Sequence, residues 1–405
     1  SCHITALNLP GYNLQGSLMS SLGHLIQLKS LDLSNNWLIG PLPLSLGDMV
    51  QLQVLKASDN FLTGYLPGTL QNLTALHSLD LHENLLSGPL LADFSTLIRL
   101  QYLILNANVL TGPIPTTLGS LSQLNEIVLY SNLLTGRIPT ELSTLSLLED
   151  LVLHINSLTG SIPPELGDLE HLVNLYLYEN ELSGHIPIEL SALSRLEYLI
   201  LYDNWLTGTI PSELGRLGVL ELLYLNTNML TGHIPLELGH MQNLQYLVVY
   251  VNLLSGPIPP ELGSLTNLKF LLIDRNSLTG SVPSSLGSLI NTENIILRRN
   301  LLSGPLPRQL GDLRQLPSLI LHHNFLSGSI PVEFGYMTSL KELFLYENHF
   351  DNALPSELSQ CTALEVLKLE NNFFSGSLEG VFNKNMTVLE NVDLSDNRFS
   401  GSIPP

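Results

Sequence analysis

The chain has 405 residues, of which 44% are hydrophobic and 13% charged, and its 36 acidic against 16 basic side chains give a formal net charge of −20. This hydrophobic fraction excludes a disordered chain, and the acidic balance argues against a nucleic acid or an anionic membrane surface as partner, because phosphate binding needs clustered Lys and Arg. No run reaches the roughly 18 apolar residues that a membrane span needs. The chain opens with Ser-Cys-His, so we expect any targeting segment to lie outside it.

The main feature of the sequence is an Asn that recurs every 24 residues, with one spacing of 25 before the last member. Tyr12 takes the same place in the first unit. The period defines 17 units without a linker, so we predict a single solenoid domain over residues 1–405, with a first unit of about 1–21 and a last unit that stops at 405. The ladder residues are Asn36, Asn60, Asn84, Asn108, Asn132, Asn156, Asn180, Asn204, Asn228, Asn252, Asn276, Asn300, Asn324, Asn348, Asn372 and Asn397.

Each unit reads close to L-x-x-L-x-L-x-x-N-x-L-[ST]-G-x-I-P-x-x-L-G-x-L. The alternating stretch predicts a short strand with inward leucines. The Asn amide both donates and accepts, so it can satisfy backbone groups of neighbouring turns. Gly allows close approach or positive φ, and the segment after Pro predicts a short helical turn on the outer side. Stacked units bury their leucines together, which predicts an α/β solenoid with a parallel concave sheet. Departures from the pattern include Asn352 for Gly, and Met19, Leu91 and Glu379 for Pro.

The repeat is identified as a leucine-rich repeat, and its L-[ST]-G-x-[IL]-P half resembles the plant-type subclass found in ectodomains of plant receptor kinases and receptor-like proteins. The resemblance covers essentially the whole chain. It implies a plant-type superhelix outside the cell or at its surface, a secreted peptide or protein ligand, and a co-receptor. It also implies a membrane anchor and a kinase beyond this sequence. Arrays of this type start with a cap that carries a Cys pair, and Cys2 resembles the second Cys of that pair.

The extracellular context makes two N-x-[ST] sequons candidate glycosylation sites, Asn72 and Asn385. Both fall on the helical side of their units. Cys361 takes an inward position on that side, so we predict a buried, inert thiol. Fifteen units separate Cys2 from Cys361, and strands about 4.8 Å apart place the two cysteines too far apart to form a disulfide.

No catalytic motif is present, so we predict neither an enzyme nor a cofactor. His322 and His323 adjoin on the concave side, where we expect solvated histidines and no metal site. Function must therefore be argued from the residues that line the concave face.

Ten of the 13 tyrosines fall in the solvent-facing strand positions, which lie six, four, two and one residues before each ladder Asn. Sheet stabilisation explains part of this enrichment. The tyrosines concentrate in the middle units, however, where the position four before the Asn is also apolar, and polar residues occupy that position in the flanking units. An apolar patch with a polar rim is typical of a binding site. The predicted ligand-binding tyrosines are Tyr130, Tyr176, Tyr178, Tyr198, Tyr202, Tyr224, Tyr246 and Tyr250.

Charge is also sorted along the array. Basic residues are absent between Arg137 and Arg195, whereas six of the 16 fall between Lys269 and Arg314. Three of these six, Arg275, Arg298 and Arg299, lie on the concave side.

Arg298 has two possible roles. It can bind the ligand, or it can form an ion pair with Asp274, which lies in the same position on the adjacent strand. Arg275 and Arg299 have no comparable partner in the pattern, so they are the better candidates for an anionic ligand group. We predict an extended ligand along the concave face from about Glu126 to His323, with its anionic end near Arg275 and Arg299.

Two other functions fit the same pattern. Uncapped solenoid ends favour self-association into head-to-tail extracellular fibres. A row of tyrosines also suits a glycan-binding solenoid, in which aromatic rings stack on sugar rings.

Overall fold

The computed structural model describes residues 4–402, and Cys2 lies outside this range. Contacts between residues divide the chain into two compact units, Ser1–Leu206 and Thr207–Pro405. The single domain expected over residues 1–405 stays a prediction. Within the described residues, no helix has the length and apolar character needed to cross a membrane.

In the first unit, one three-residue strand per repeat forms the concave sheet. The strands are parallel and pair in a fixed register one repeat apart, as in Asp150 opposite Asn174 and Leu151 opposite Leu175. The strands are Ala6–Asn8, Ser30–Asp32, Val54–Lys56, Ser78–Asp80, Tyr102–Ile104, Glu126–Val128, Asp150–Val152, Asn174–Tyr176 and Tyr198–Ile200.

A second row of parallel strands follows the Asn turns of the first unit, and short 3₁₀ helices follow that row. The strands are Gln15–Ser17, Trp37–Pro41, Phe61–Tyr65, Leu85–Pro89, Val109–Gly112, Leu133–Gly136, Ser157–Gly160 and Glu181–Gly184, and Trp205–Thr209 spans the boundary between units. The 3₁₀ helices are Ser20–His24, Leu44–Asp48, Gly68–Asn72, Thr116–Ser120, Thr140–Thr144, Pro164–Asp168 and Ile188–Ala192.

The second unit repeats this organisation. Its concave strands are Leu222–Tyr224, Tyr246–Val248, Phe270–Leu272, Asn294–Ile296, Ser318–Ile320, Glu342–Phe344, Val366–Lys368 and Asn391–Asp393. Its second-row strands are Met229–Thr231, Ser255–Pro257, Ser277–Gly280, Leu301–Gly304, Phe325–Gly328, His349–Phe350, Ser375–Gly376 and Arg398–Phe399. Its 3₁₀ helices are Ser212–Arg216, Leu236–His240, Pro260–Ser264, Ser284–Ser288, Arg308–Asp312, Val332–Tyr336 and Ser356–Gln360.

The predicted solenoid of stacked repeats is confirmed, and its helical turns are 3₁₀ rather than α. The inward leucines form the core: Leu175, Leu177 and Leu190 are fully buried, as are their equivalents in neighbouring repeats. Burial of one such side chain stabilises the fold by about 1.5–3 kcal/mol. The repeat in the sequence therefore corresponds to one layer of the hydrophobic core.

The Asn ladder works as the amide chemistry predicts. Asn300 is 5% exposed. Its Oδ1 accepts a hydrogen bond from the Leu278 amide at 3.0 Å, and its Nδ2 donates to the carbonyls of Ile273, Leu297 and Arg298 at 3.2, 3.1 and 3.4 Å. Each ladder Asn therefore closes its own turn and ties it to the preceding repeat.

The repeat has two recurrent glycine positions, and they have different roles. Gly304 has φ +77°, which L side chains rarely adopt, whereas a Cβ added at Gly239 would lie only 2.4 Å from the Glu261 carbonyl oxygen. Asn352 replaces the first kind of Gly and keeps φ at 64°, because Asn tolerates the left-handed region.

Proline sets the entry to the 3₁₀ helices. Pro211 directly precedes Ser212–Arg216 with an extended backbone at φ −63°, a value that the Pro ring fixes. Of the three units that lack this Pro, the unit with Met19 retains its 3₁₀ helix. The units with Leu91 and Glu379 have no 3₁₀ helix in their described residues.

Candidate ligand-binding site

Four aromatic rings form a continuous stack on the concave sheet of the first unit. Tyr130 stacks on His154 with ring centres 4.4 Å apart. His154 stacks on Tyr178 at 4.1 Å, and Tyr178 on Tyr202 at 4.4 Å. All four residues lie two positions before a ladder Asn, so the stack follows from one ring per repeat at the spacing of parallel strands.

Two further tyrosines flank the stack. Tyr176 meets the His154 ring edge-on at 6.1 Å and lies 6.4 Å from Tyr198 in a tilted arrangement. The structure thus brings all five predicted tyrosines of the first unit onto one sheet, each of them half-buried.

The hydroxyls of Tyr176 and Tyr202 remain protonated at physiological pH. Burial raises the pKa of Tyr176 to about 12 and also raises the pKa of Tyr202. The Tyr202 hydroxyl lies 3.4 Å from Glu179 Oε1. These two tyrosines therefore carry neutral hydroxyl groups, which can both donate and accept hydrogen bonds.

His154 is the member of the stack that sequence analysis missed. The residue is 7% exposed, and burial lowers its pKa to about 4. Its Nδ1 is buried with no hydrogen-bond partner in the described residues. The signal was present in the sequence, because His154 occupies the same repeat position as Tyr130, Tyr178 and Tyr202.

The stacking determines what a ligand meets on this sheet. His154 and Tyr178 have neighbouring rings on both faces, so their faces are covered and mainly their edges remain for a ligand. A glycan that stacks on ring faces would find these two covered.

The second unit holds the other predicted tyrosines. Tyr246 stacks on Phe270 with ring centres 4.8 Å apart, and Tyr224 lies 6.1 Å from Tyr246. Tyr250 is half-buried on the same sheet. Phe270, like His154, takes part in a stack that a search for tyrosines alone did not reveal.

The three arginines of the second unit differ in their environment. Arg298 Nε lies 3.2 Å from Asp274 Oδ2, which confirms the cross-strand ion pair that sequence analysis weighed. The expectation that Arg275 lacks a partner is wrong, because its Nε reaches back to the preceding residue and lies 3.8 Å from the same Asp274 oxygen. Arg299 is exposed and forms no ion pair with a carboxylate in the described part of the chain.

Asp274 is the buried centre of this arginine group, with a side chain that is 6% exposed. Burial raises its pKa, and the two arginines oppose that rise. A carboxylate with two cationic partners reduces the charge that Arg275 and Arg298 can present to a ligand, which leaves Arg299 as the more available cation.

The expectation of two solvated histidines is wrong for His322. This residue is 3% exposed, because its ring stacks on Tyr346 at 4.1 Å. Burial, followed by the nearby cations, lowers its pKa to about 3. His323 is half-buried and pairs through Nδ1 with the Glu347 carboxylate.

The remaining predicted positions lie away from the concave sheet. Asn72 and Asn385 are exposed, so both sequons are accessible. Cys361 is fully buried and its thiol is free, and burial raises its pKa to about 11, which confirms the predicted buried thiol. A thiol protonated at neutral pH is a poor nucleophile.

Comparison with known proteins supports the repeat assignment directly. The Leucine Rich Repeat family model matches residues 27–49, 195–217, 267–289 and 388–405. No match among curated proteins reaches significance.

Several solved structures share the fold. The plant peptide hormone receptor RGFR1, in complex with RGF2, is 35% identical with a TM-score of 0.94 and is matched over 99% of this chain and 64% of its own. A TDR receptor is 32% identical with a TM-score of 0.88, over 96% of this chain and 68% of its own. The Arabidopsis receptor kinase HAESA, in complex with the peptide hormone IDA and the co-receptor SERK1, is 31% identical with a TM-score of 0.71. The match covers 96% of this chain and 74% of the HAESA chain.

The chain therefore spans about two thirds of the length of the RGFR1 chain. Its fold matches that of these solved structures over 96–99% of its length. The chain belongs to the leucine-rich-repeat family, in the plant-type form that builds the ectodomains of receptor kinases.

Proposed function

We propose that the chain is an extracellular recognition domain that binds a secreted peptide on its concave face. The observation that carries this proposal is the ring stack of the first unit, Tyr130, His154, Tyr178 and Tyr202. A hydrolytic or transfer activity is not part of the proposal.

The stack suits an extended peptide for a physical reason. Its rings are packed against each other and hence rigid, so a ligand would order few side chains when it binds. Tyr is also common among the residues that dominate binding energy at protein interfaces. Tyr176 and Tyr198 lie beside the ring stack and widen the aromatic surface. Successive residues of an extended peptide would therefore each meet an aromatic edge or a hydroxyl group.

The second unit contributes a surface of its own. Its tyrosines Tyr224, Tyr246 and Tyr250 adjoin a more basic stretch, in which Arg299 is exposed and forms no ion pair with a carboxylate in the described residues. We propose that Arg299, with a secondary share from Arg275 and Arg298, binds anionic groups such as a carboxylate. The strength of this contact would depend on salt, because exposed charges are screened.

The structural relatives support this function in general terms. RGFR1 is a plant peptide hormone receptor, and its matched structure is a complex with RGF2, whereas the HAESA structure contains the peptide hormone IDA and the co-receptor SERK1. By analogy we propose that this chain acts with a co-receptor, as the outer part of a receptor kinase or receptor-like protein, and that Asn72 and Asn385 carry glycans.

Selection from a displayed library of random peptides tests the proposal. The library is panned on the immobilised chain, and enriched peptides are then counter-screened on Tyr178→Ala. We expect enrichment of peptides that bind the wild-type chain and lose binding to the variant. Tyr65→Ala is the matched control, since Tyr65 lies in the second-row strand Phe61–Tyr65 and is 67% exposed. Peptides that bind Tyr178→Ala and the wild-type chain equally would contradict the proposal.

A further inference from the structure

A cluster of polar side chains lies in the first unit, two repeats before the aromatic stack begins. Asp59, His82 and Glu83 place their metal-binding atoms within 4.8 Å of one another. Asp59 and Glu83 are the residues directly before two successive ladder Asn residues, both with left-handed backbones at φ 52° and 50°. Their shared repeat position therefore sets the two carboxylates side by side.

The backbone of the two turns is fixed by hydrogen bonds between the repeats. The Asp59 amide donates to the His82 carbonyl at 3.0 Å, and the Asn60 amide donates to the Glu83 carbonyl at 3.1 Å. The three side chains consequently extend from a rigid base, which a specific ion site requires.

His82 is oriented by a buried carboxylate outside the group of three. Its Nδ1 lies 2.6 Å from Asp80 Oδ1, and Asp80 is only 7% exposed. Because an ionised carboxylate only accepts, Nδ1 carries the proton in this contact. Metal-binding histidines are typically held in this way, with one ring nitrogen donating to a carboxylate and the other free for the ion.

The other ring nitrogen faces an electron-rich atom. His82 Nε2 lies 3.5 Å from Asp59 Oδ2, and Glu83 adds a second carboxylate within the same 4.8 Å group. One bound cation could therefore contact all three side chains at once.

The surroundings leave space and negative charge for an ion. Asp59 and Glu83 line a cavity of about 510 Å³ whose wall includes Trp37 and Phe61, which offers room for water molecules on an ion. Lys56 faces Asp80 across the strands and balances part of the local charge. Neither Asp59 nor Glu83 forms an ion pair with Lys or Arg in the part of the chain that the structure describes.

We propose that Asp59, His82 and Glu83 bind a divalent transition-metal ion of the zinc class, with His82 Nε2 and one oxygen from each carboxylate as ligands. One imidazole and two carboxylates suit such an ion. The three protein ligands leave coordination positions for water on the cavity side. Asp80 acts as a positioning residue through His82.

Zinc titration calorimetry of the chain at pH 7.5, with any affinity tag removed, tests the proposal. We expect saturable binding of one Zn²⁺ that His82→Gln abolishes. Asp80→Asn leaves all three ligands in place, and removal of such an outer partner typically weakens metal binding about 10–100-fold. His323→Gln is the matched control, because the His323–Glu347 pair has no third ligand in the described residues, and we expect it to leave zinc binding unchanged.

Trp37 provides an independent reading of the same site. The chain has two tryptophans, so Trp205→Phe leaves Trp37 as the only one. Co²⁺ bound beside the cavity should quench its fluorescence saturably, and excess Zn²⁺ should reverse the effect. No saturable binding, or equal zinc affinity in the wild-type chain, His82→Gln and Asp80→Asn, would overturn the proposal. That result would leave the peptide-binding proposal untouched.

Discussion

At the scale of single residues, the same repeat position serves different purposes in different units. The position two before the ladder Asn holds the stacked rings of the first unit, the ion-paired Arg298, and His322. The residue type at this position can differ between repeats because the stacking of the repeats does not depend on it. The ladder Asn itself cannot diverge without loss, since its amide is buried and makes four hydrogen bonds in the case of Asn300.

Replacement of Asn300 by Leu should lower the stability of the chain by about 1–3 kcal/mol, because a buried backbone amide and carbonyls lose their partner. Chemical denaturation measures the loss. Asn267→Leu is the control, since Asn267 is exposed and donates one hydrogen bond, to the Gln242 carbonyl at 2.8 Å. Equal losses for the two variants would contradict the role given to the ladder.

His154 predicts a pH dependence of stability. Its pKa falls from an ordinary value of 6.5 to about 4 in the folded chain, so the unfolded chain takes up a proton first as the pH drops. Its stabilising contribution is therefore complete above about pH 6.5 and is lost as the pH falls toward 4. At about 1.4 kcal/mol per pKa unit, the loss is on the order of 3 kcal/mol.

Denaturant titrations between pH 7.5 and 4.5 test this prediction. His154→Phe keeps a ring in the stack and should lose less stability with falling pH than the wild-type chain. His185→Phe, at an exposed position, should follow the wild-type curve. A His154→Phe curve parallel to the wild-type curve would show that the buried imidazole does not titrate as described.

At the scale of elements, close approach of the 3₁₀ helices depends on Gly. A Cβ at Gly239 would lie 2.4 Å from the Glu261 carbonyl oxygen of the next helix, whereas Gly218 has open space around it. Gly239→Ala should cost roughly 1–3 kcal/mol through overpacking. Gly218→Ala should be neutral or stabilise the chain by about 0.4–1 kcal/mol. Thermal unfolding separates the two, and a Gly239→Ala midpoint at or above that of Gly218→Ala would be the contrary result.

The elements were also the most predictable part of the molecule. A period of 24 residues fixes strand, turn and outer segment in every unit, so the concave positions could be read by counting from each Asn. The contacts of a given side chain could not be read in this way. Asp274 reaches both Arg298 and Arg275, and His82 joins Asp80 to Asp59, because rotamers and cross-strand neighbours decide those contacts. His154 escapes prediction for a simpler reason: it shares its repeat position with three tyrosines, but a pattern based on tyrosine alone does not include the histidine ring.

At the scale of the whole molecule, the net charge of −20 gives the chain a negative field that favours basic ligands in the encounter step. Against this background Arg299 is a local positive site. Arg299→Ala should therefore slow the association of an acidic probe peptide at low ionic strength and have little effect at 0.5 M salt, where the Debye length falls to only a few Å. Stopped-flow or surface-plasmon measurements give the rates.

Arg216→Ala is the matched control for this experiment. Arg216 ends the outer 3₁₀ helix Ser212–Arg216 and is exposed, so its removal changes the net charge by the same amount at a different place. An equal effect of both substitutions would mean that only the total charge matters and that Arg299 has no special part.

The central claim is that the concave ring stack of the first unit binds peptide, and a binding titration with a peptide selected on the wild-type chain tests it most directly. Tyr178→Ala removes the ring between His154 and Tyr202. Loss of about 2 kcal/mol at such a centre corresponds to roughly 30-fold weaker binding, and the loss should persist at high salt because the contact is uncharged. Tyr65→Ala should bind like the wild-type chain. Wild-type affinity in Tyr178→Ala, together with an unchanged fold by circular dichroism, would contradict the account.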